Sequence, residues 1–343
     1  MREFVCCADI HLWIKKDVPE EWQVNRYMQL FESLINLCKE HDAGLFIAGD
    51  FFERADPTQE EIQLALVFFR QLKEAGIRVY LISGNHETLR EAKSDSDLGE
   101  CTFDYLDAGL NKTLDICYGT GGSLFALNKE DCAFHFVNYH NLRQFAKKTR
   151  TKKELQDGGS KLNILVTHFR CTVNQFIKEE VDVEALIEPF DLCIAGDIHQ
   201  PLTVGKLVYT NNPINKEFER EVECGVVLLS IHQGTFEVRR IPMNLPALRQ
   251  INIKADEPLP ELNKTDFYRV EIEGTIDQLK GLTAPLDNVK LIKVPVVDEV
   301  LATPEEEETA CHQSLEQELL AYMQELKYHE KKINDMLAVF KEA

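Results

Sequence analysis

The sequence contains no run of about 18 apolar residues, which is the length that a helix needs to cross a bilayer. We therefore expect no transmembrane helix. Low-complexity tracts are also absent, and the hydrophobic fraction of 44% is typical of a folded protein. Because Met1-Arg2-Glu3-Phe4 leads directly into a candidate strand, we expect no signal peptide either.

Cys-X-X-Cys pairs, which would indicate a metal or redox site, are missing although the chain has 10 cysteines. Cys6 and Cys7 are adjacent on a candidate strand, so their side chains should point to opposite faces. Cys38 and Cys193 lie within apolar runs, where cysteine behaves as a small hydrophobe. We therefore expect no disulfide framework and a reducing, cytoplasmic location.

Positive charge is also scarce, since 38 Lys and Arg residues face 58 Asp and Glu residues and give a net charge of −20. Such a chain is repelled by nucleic acid unless its basic residues are concentrated locally. One basic cluster follows a candidate strand: Arg143, Lys147, Lys148, Arg150, Lys152 and Lys153. It predicts either a surface that contacts phosphate groups or an ordinary solvated face.

Five short polar clusters each follow an apolar run that predicts a strand. They are Asp9-Ile10-His11, Gly49-Asp50, Gly84-Asn85-His86-Glu87, Thr167-His168 and Gly196-Asp197-Ile198-His199. In open α/β sheets, ligands bind beyond the carboxyl ends of the strands. We therefore expect the clusters to meet at one rim, with the glycines allowing sharp turns or close approach.

The residue types in these clusters are nitrogen and oxygen donors, as a site with two divalent metals requires. A donor set of His, Asp and Asn without cysteine favours manganese or iron over a structural zinc. Each donor also has an ordinary interpretation. Asp9 could cap a helix or a turn, His168 could be a core histidine, and Asn85 could adopt a left-handed turn. None of these interpretations explains five clusters in one order.

The order and spacing of the clusters resemble the calcineurin-like metallophosphoesterase superfamily. The segments Cys7-Ala8-Asp9-Ile10-His11-Leu12, Gly49-Asp50-Phe51-Phe52 and Gly196-Asp197-Ile198-His199-Gln200-Pro201 look most like SbcD, the nuclease subunit of bacterial and phage SbcCD-type complexes. The resemblance covers about residues 1–215. It implies an α/β fold with a two-sheet α/β/β/α sandwich, a small α+β capping domain and a C-terminal helical segment.

The resemblance also implies a role for each donor. Asp9, His11 and His199 would hold the first metal, Asp50 would bridge both, and Asn85, His168 and Asp197 would hold the second. His86 would be the catalytic acid beside the leaving oxygen. The expected cofactors are two divalent ions, with manganese favoured over magnesium or iron.

Two positions depart from the pattern of the superfamily. Asp197 stands where the family usually has His, which would make the second metal site more negative. Glu87 stands where the superfamily usually has Asp, and we expect its carboxylate to orient His86.

The length of 343 residues predicts more than one domain. We expect a nuclease domain over residues 1–244, a small α+β capping domain over 245–300 and a helical segment over 301–343. The last segment has an apolar stripe at helical spacing: Leu315, Leu319, Tyr322, Leu326, Ile333 and Leu337. This stripe either packs on its own domain or docks on a partner, which the resemblance implies is an SbcC-like coiled-coil ATPase.

The leading hypothesis is a metal-dependent nuclease subunit that hydrolyses double-stranded DNA ends with this ATPase, in DNA repair, recombination or replication. The resemblance also implies a homodimer, for which the apolar residues of Glu20–His41 are candidates. Its location would be the cytoplasm of a bacterium or of a phage host. The alternatives are a phosphodiesterase for small molecules and a scaffold that has lost catalysis.

Overall fold

The computed structural model describes residues 2–94, 97, 99–106, 116–118, 125–128, 132–148, 162–171 and 180–296. The strands are β1 (Arg2–Cys7), β2 (Gly44–Ala48), β3 (Val79–Ile82), β4 (Thr88–Arg90), β5 (Glu100–Cys101), β6 (Ile116–Tyr118), β7 (Phe125–Asn128), β8 (Cys132–Phe136), β9 (Leu162–His168), β10 (Leu192–Gly196), β11 (Thr203–Val204), β12 (Leu207–Tyr209), β13 (Gly225–His232), β14 (Thr235–Pro242), β15 (Leu248–Lys254), β16 (Phe267–Gly274) and β17 (Val289–Pro295). The helices are α1 (Glu20–Glu40), α2 (Gln59–Glu74), α3 (Tyr139–Lys147), α4 (Val183–Ile187) and α5 (Ile276–Leu279).

Two sheets carry most of these strands. The first has the order β14-β13-β1-β2-β3-β6 and the second has the order β11-β12-β10-β9-β8-β7. In the first sheet β1, β2, β3 and β6 are parallel, and in the second β8, β9, β10 and β12 are parallel. The carboxyl ends of the parallel strands within each sheet therefore lie at a single edge.

Three apolar layers hold the two sheets and their helices together. Phe46 and Phe134 are among the buried residues that join one sheet to the other. On the opposite face of the first sheet, Ile47 packs with residues of α1 and α2, and on that of the second sheet Leu165 packs with residues of α3. The α/β/β/α sandwich predicted from the sequence is therefore confirmed.

The alternation of side chains along β1 follows from the pleat of the strand. Cys7 belongs to the layer beneath the helices, whereas Cys6 belongs to the layer between the sheets. The prediction that they face opposite ways is correct. The nine cysteines in the described part of the chain are all free, so no disulfide is found there.

The helix α2 begins at a capping box formed by Thr58 and Glu61. The Thr58 hydroxyl accepts from the Glu61 N–H at 3.3 Å, and the Glu61 carboxylate accepts from the Thr58 N–H at 2.8 Å. Most apolar residues of α1, such as Phe31 and Leu34, are buried in the same layer as α2, whereas Val24, Met28 and Leu37 are partly buried. The fully buried residues belong to the core of this chain.

The segment after the second sheet forms a three-stranded sheet of order β15-β16-β17, with α5 between β16 and β17. Three strands and one short helix are the α+β composition that we expected for this segment. The chain divides into two compact units: Met1–Asn252, Leu259–Glu271 and Thr283–Ile292 form one, whereas Ile253–Pro258, Ile272–Leu282 and the segment from Lys293 belong to the other. The domain limits 1–244, 245–300 and 301–343 stay predictions.

The segment 301–343 and its apolar stripe lie outside the described residues. Within the described part of the chain, no helix is both long enough and apolar enough to span a membrane.

We predict that Phe46→Ala destabilises the protein by about 3–5 kcal/mol, because it opens a cavity between the two sheets. The ring is fully buried and lies within 5.3 Å, centroid to centroid, of four other rings, those of Phe4, Tyr80, Phe134 and Phe136. Denaturant unfolding measures the change. Phe236→Ala is the control, since that ring on β14 is 38% exposed and its loss should cost less than about 1 kcal/mol. Equal losses for the two variants would contradict the assignment of Phe46 to the inter-sheet core.

Candidate metal centre

The predicted donors follow strands of both sheets. Asp9 and Asp50 follow β1 and β2 of the first sheet, while His168 and Asp197 come at the ends of β9 and β10 of the second. The Asp9 N–H donates to the Gly49 carbonyl at 3.1 Å, and the Asp197 N–H donates to the Asp9 carboxylate at 3.1 Å. These bonds connect the strand ends, so the polar clusters meet at one rim as expected.

The backbone at this rim is strained. Among the described residues, seven non-glycine residues have positive φ, and four of them are Asp9, His11, Asp50 and Asp197. A positive φ costs an L residue free energy and persists only where the surrounding structure holds it. The strain is therefore concentrated on residues that we predicted as ligands.

The glycines of the motifs meet a second requirement, which is close approach. A Cβ on Gly196 would lie 2.6 Å from the Ala8 Cβ and 2.6 Å from the His168 Nδ1. A Cβ on Gly84 would collide with the Asp50 carboxylate. Because these neighbouring atoms are buried and have no room to move, Gly84 and Gly196 cannot be replaced by a residue with a Cβ.

The first cluster of donors consists of Asp9, His11 and His199. The Nε2 atoms of His11 and His199 are 3.0 Å apart, and the Asp9 Oδ1 lies 3.9 Å from the first and 3.6 Å from the second. Burial lowers the pKa of His11, although Glu53 and Asp50 act in the opposite direction. A neutral imidazole is the form that can bind a metal, so this trio has the chemistry of a ligand set.

The second cluster shares the carboxylate of Asp50. The His168 Nε2 lies 3.3 Å from the Asp50 Oδ2 and 2.9 Å from the Asn85 Oδ1. The same Asp50 oxygen lies 3.7 Å from the His11 Nε2 of the first cluster. Asp50 therefore lies between the two donor groups, where a bridging ligand would be.

His168 and Asp50 are both fully buried and interact as an ion pair. Burial acts to lower the pKa of His168, but the negative charge of Asp50 outweighs it and the pKa is raised well above its usual value. Burial likewise acts to raise the pKa of Asp50, and the charge of His168 lowers it instead. The His168 Nδ1 lies 2.8 Å from the Ala48 carbonyl, which directs Nε2 towards the donors.

His86 is held beside Asp50 but is not central to either cluster. Its N–H donates to the Asp50 Oδ1 at 3.0 Å, while its Nδ1 bonds to the Glu53 carbonyl. Its Nε2 lies 3.9 Å from the Asp50 Oδ2, and 28% of the side chain is exposed. A partly exposed imidazole next to the donors is suitably located to exchange a proton with a bound substrate.

Glu87 differs from what we expected of it. Its carboxylate accepts from the N–H groups of Asp50 at 3.1 Å, Phe52 at 2.7 Å and Gly84 at 2.8 Å. Burial and the charge of Asp50 raise the pKa of Glu87 to about 8, against the effect of these amides. Glu87 therefore fixes the backbone that carries Asp50 and Gly84, and the ring of His86 is oriented by Glu53.

Sequence reasoning missed Glu53, whose carboxylate lies 2.7 Å from the His11 Nδ1 and 3.4 Å from the Lys216 Nζ. Burial acts to raise the pKa of Glu53, but His11 and Lys216 lower it to about 2. An anionic carboxylate against Nδ1 directs the other nitrogen of His11 to the donors. Its location just after Gly49-Asp50 could have suggested this role, whereas no motif indicates Lys216.

Asp197 lies at the edge of the second cluster. Its Oδ1 is 3.9 Å from the His168 Nε2, and its two oxygens accept from the Arg170 Nε at 2.8 Å and the Arg170 Nη2 at 3.1 Å. Among the described residues, it belongs to none of the donor groups that converge on a common point; those at this rim are Asp9–His11–His199, Asp9–Asp50–His168 and His11–Glu53–His86. The structure thus pairs the expected ligand Asp197 with an arginine that the sequence analysis did not consider.

The donor sets fit divalent metal ions. Two imidazole nitrogens face each other at 3.0 Å with a buried carboxylate beside them, and the Asp50 Oδ2 lies 3.7 Å from the His11 Nε2 and 3.3 Å from the His168 Nε2. Ligands of this hardness suit manganese, iron or magnesium, and the mixture contains no thiolate. The geometry therefore fits two ions that share Asp50.

The basic cluster is only partly described. Lys147 and Lys148 are exposed at the end of α3, Arg143 pairs with Glu91 at 3.2 Å, and Arg150, Lys152 and Lys153 lie outside the described residues. The Tyr139 ring at the start of α3 is 6.1 Å from the ring of His168. Because α3 rises about 12 Å from Tyr139 to Lys147, the lysines lie away from the donors along the helix.

The fold and the donor sets define a metallophosphoesterase, and comparison with known families agrees. The chain belongs to the calcineurin-like phosphoesterase family, whose sequence profile matches residues 3–201 and so includes every predicted donor. The superfamily predicted from the motifs is confirmed. The protein is a metal-dependent hydrolase of phosphodiester bonds.

Individual proteins match the chain with modest sequence identity. Over 288 residues the chain is 30% identical to the probable exonuclease subunit 1 of Escherichia phage T5, covering 80% of this chain and 79% of that protein. It is 24% identical over 214 residues to the DNA double-strand break repair protein Mre11 of Methanococcus maripaludis, covering 61% and 55%. The structure of purple acid phosphatase PPD1 from yellow lupin (Lupinus luteus) has 13% identity and a TM-score of 0.37, covering 70% and 51%. The chain thus spans about half the length of the archaeal and plant proteins.

We predict that binding of manganese releases a proton from His168. The raised pKa keeps this imidazole protonated at neutral pH in the metal-free protein, and a metal ligand must be deprotonated. Metal affinity should therefore rise with pH by about tenfold per unit until the pH reaches the raised pKa of His168. Calorimetric titration in two buffers with different heats of ionisation counts the released protons. Equal heats in both buffers, or an unchanged difference in His168→Asn, would contradict the prediction.

Proposed function

We propose that this chain is a metal-dependent DNA nuclease subunit that hydrolyses phosphodiester bonds at double-stranded DNA ends. The observation that carries the proposal is the pair of donor groups on either side of the Asp50 carboxylate, with the partly exposed His86 beside them. The similarity to a phage protein named as a probable exonuclease subunit, over most of both chains, supports DNA as the substrate. DNA repair, recombination and replication are the processes in which such an activity would be used.

We assign the donors by their proximity. Asp9, His11 and His199 would hold one ion, Asn85 and His168 would hold the other, and Asp50 would bridge them. When bound, two divalent ions such as manganese would supply an activated water and neutralise charge on the phosphate. Glu53 and the Ala48 carbonyl keep the ligand nitrogens of His11 and His168 directed inward.

His86 would act on the leaving group. Its Nδ1 is engaged by the Glu53 carbonyl, so Nε2 is the atom available to the substrate. A proton held at this atom could be donated to the departing sugar oxygen, which would otherwise leave as an alkoxide. His86 would then be needed for turnover and not for binding of the metals.

Local positive charge would offset the net charge of −20 where DNA approaches. Arg170 and Lys216 lie beside the donors, each in contact with a carboxylate. The exposed Lys147 and Lys148, together with Arg150, Lys152 and Lys153, would contact the DNA backbone further from the scissile bond.

The residues 301–343 would bind a coiled-coil ATPase of the SbcC type through their apolar stripe. The word subunit in the name of the phage relative supports a partner, and it does not identify one. A homodimer remains part of the proposal, although the apolar side chains of α1 are used in the core. A cytoplasmic location would keep the free cysteines reduced.

We predict that Asp50→Asn abolishes manganese-dependent degradation of end-labelled duplex DNA, because both donor groups lose a shared charged ligand. His86→Ser should bind manganese with unchanged stoichiometry and lose turnover by roughly 10²–10⁴-fold, as expected when a general acid is removed. Calorimetry and a gel assay with and without chelator measure the two effects. His232→Ser, at an exposed histidine of the β13–β14 hairpin, is the control that should retain both.

The same assay distinguishes the alternatives. Hydrolysis of a model phosphodiester without degradation of DNA, even with the ATPase added, would indicate a small-molecule phosphodiesterase. Binding of manganese with no hydrolysis of either substrate would indicate a scaffold. Loss of metal binding in His86→Ser would mean that His86 is a ligand and not the acid.

We predict that removal of residues 304–343 abolishes binding to the ATPase while manganese binding is retained, since every assigned donor lies before residue 200. Size-exclusion chromatography with the ATPase and calorimetry with manganese test the two halves of this prediction. Aggregation of the shortened chain, or loss of its metals, would instead show that the segment packs on its own domain.

A further inference from the structure

Arg170 is a group at the rim whose role follows neither from the motifs nor from the donor sets. It comes two residues after His168 and binds both carboxylate oxygens of Asp197, with the Nε–Oδ2 and Nη2–Oδ1 distances at 2.8 and 3.1 Å. Such a two-point bond fixes the orientation of both side chains. The Arg170 N–H also donates to Glu180 at 3.2 Å, which anchors the residue after the end of β9.

The backbone of Asp197 supports this arrangement. Its φ of 96° lies in the left-handed region, where an aspartate is held only by its surroundings. In this conformation its N–H donates to Asp9 while its carboxylate binds Arg170. Because its backbone N–H and its carboxylate are both hydrogen-bonded, Asp197 is held in a defined position.

The pair differs in exposure. The Asp197 side chain is 4% exposed and that of Arg170 is 43% exposed. The Asp197 Oδ1 contacts both neighbours: it lies 3.1 Å from the Arg170 Nη2 and 3.9 Å from the His168 Nε2. The positive charge of the pair is therefore turned to solvent at the margin of the second donor group, while the negative charge is buried.

We propose that Arg170 compensates the charge of Asp197 and so sets the balance between metal affinity and phosphate binding at the second site. Asp9, Asp50 and Asp197 lie together at this rim, and each uncompensated carboxylate attracts cations and repels a phosphodiester. With Arg170 in place, Asp197 contributes little net charge. The exposed guanidinium is a positioning residue that also attracts the anionic substrate.

This inference rests on the proposed function only for its substrate, and binding of manganese tests it independently of hydrolysis. Arg170→Gln removes the positive charge and leaves Asp197 uncompensated. We expect manganese to bind at the second donor group roughly tenfold more tightly and the KM for duplex DNA to rise by a similar factor. A residue that only stabilises the fold would not move these two quantities in opposite directions.

Asp197→Asn should have the reverse effect on the metal, because the positive charge of Arg170 then lacks its partner. The double variant Arg170→Gln with Asp197→Asn should bind manganese with nearly the affinity of the unaltered protein. Arg170→Lys keeps the charge and should retain the metal affinity within about threefold while losing the two-point bond. The unaltered protein, the two single variants and the double variant form a double-mutant cycle, and Arg170→Lys adds a conservative variant.

Arg249→Gln is a matched control. Arg249 is 36% exposed and pairs with Asp266, which is 5% exposed, so the change removes an ion pair of similar burial that includes none of the assigned donors. It should lower the melting temperature of the metal-free protein and leave the manganese affinity unchanged. A general loss of stability is thereby separated from an effect on the site.

Calorimetry with manganese on the metal-free proteins decides the outcome. Opposite shifts in the manganese affinity of the two single variants, cancelling in the double variant, would support the proposal. This holds even if the protein degrades no DNA, since that result would refute only the proposed function. Unchanged affinity in Arg170→Gln would overturn charge compensation. Weaker binding in both single variants would also overturn it, and would show instead that Asp197 ligates a metal only while Arg170 holds it in position.

Discussion

The carboxylate of Asp50 is the group through which the two donor sets are connected. One oxygen accepts from the backbone of His86, and the other faces imidazoles that are supplied by both sheets. It can do so only because β2 of the first sheet ends beside β9 of the second, which the apolar layer between the sheets enforces. The packing of Phe46 and its aromatic neighbours is thus a condition for the chemistry at the rim.

A rim rich in carboxylates has an electrostatic cost that the structure offsets locally. Burial of Asp50 and Glu53 disfavours their charged forms, but the hydrogen bond from His11 to Glu53 and nearby positive charges lower both pKa values instead. His168 supplies one such cation without a metal, and Lys216 supplies another. The metal-free site is therefore held together by ion pairs that a divalent ion would replace. The strained backbone at this rim is held by hydrogen bonds between the strand ends: the N–H groups of Asp9 and His11 donate to the carbonyls of Gly49 and Asp50, and that of Asp197 donates to the Asp9 carboxylate.

Much of this arrangement could be predicted from the sequence, because local pattern determines which residues follow a strand. The apolar runs predicted strands, and Asp9, Asp50 and His168 were found at or just after the ends of those strands. What could not be predicted were contacts set by tertiary geometry. The carboxylate of Glu87 accepts hydrogen bonds from backbone amides. Arg170 binds Asp197, which is 27 residues away in the sequence, and no sequence periodicity predicts a contact at that separation.

The net charge of −20 first argued against a nucleic-acid substrate, and the structure shows why a total charge is a poor guide here. Screening limits the range of an exposed charge to about 8–10 Å in physiological salt, so distant acidic residues have little effect at the rim. The charges that matter are those within that range. There the carboxylates are paired with His168, Lys216 and Arg170, and each divalent ion bound would add two further positive charges. A chain that is acidic overall can therefore present a cleft whose local charge attracts a phosphodiester, provided that its metals are bound.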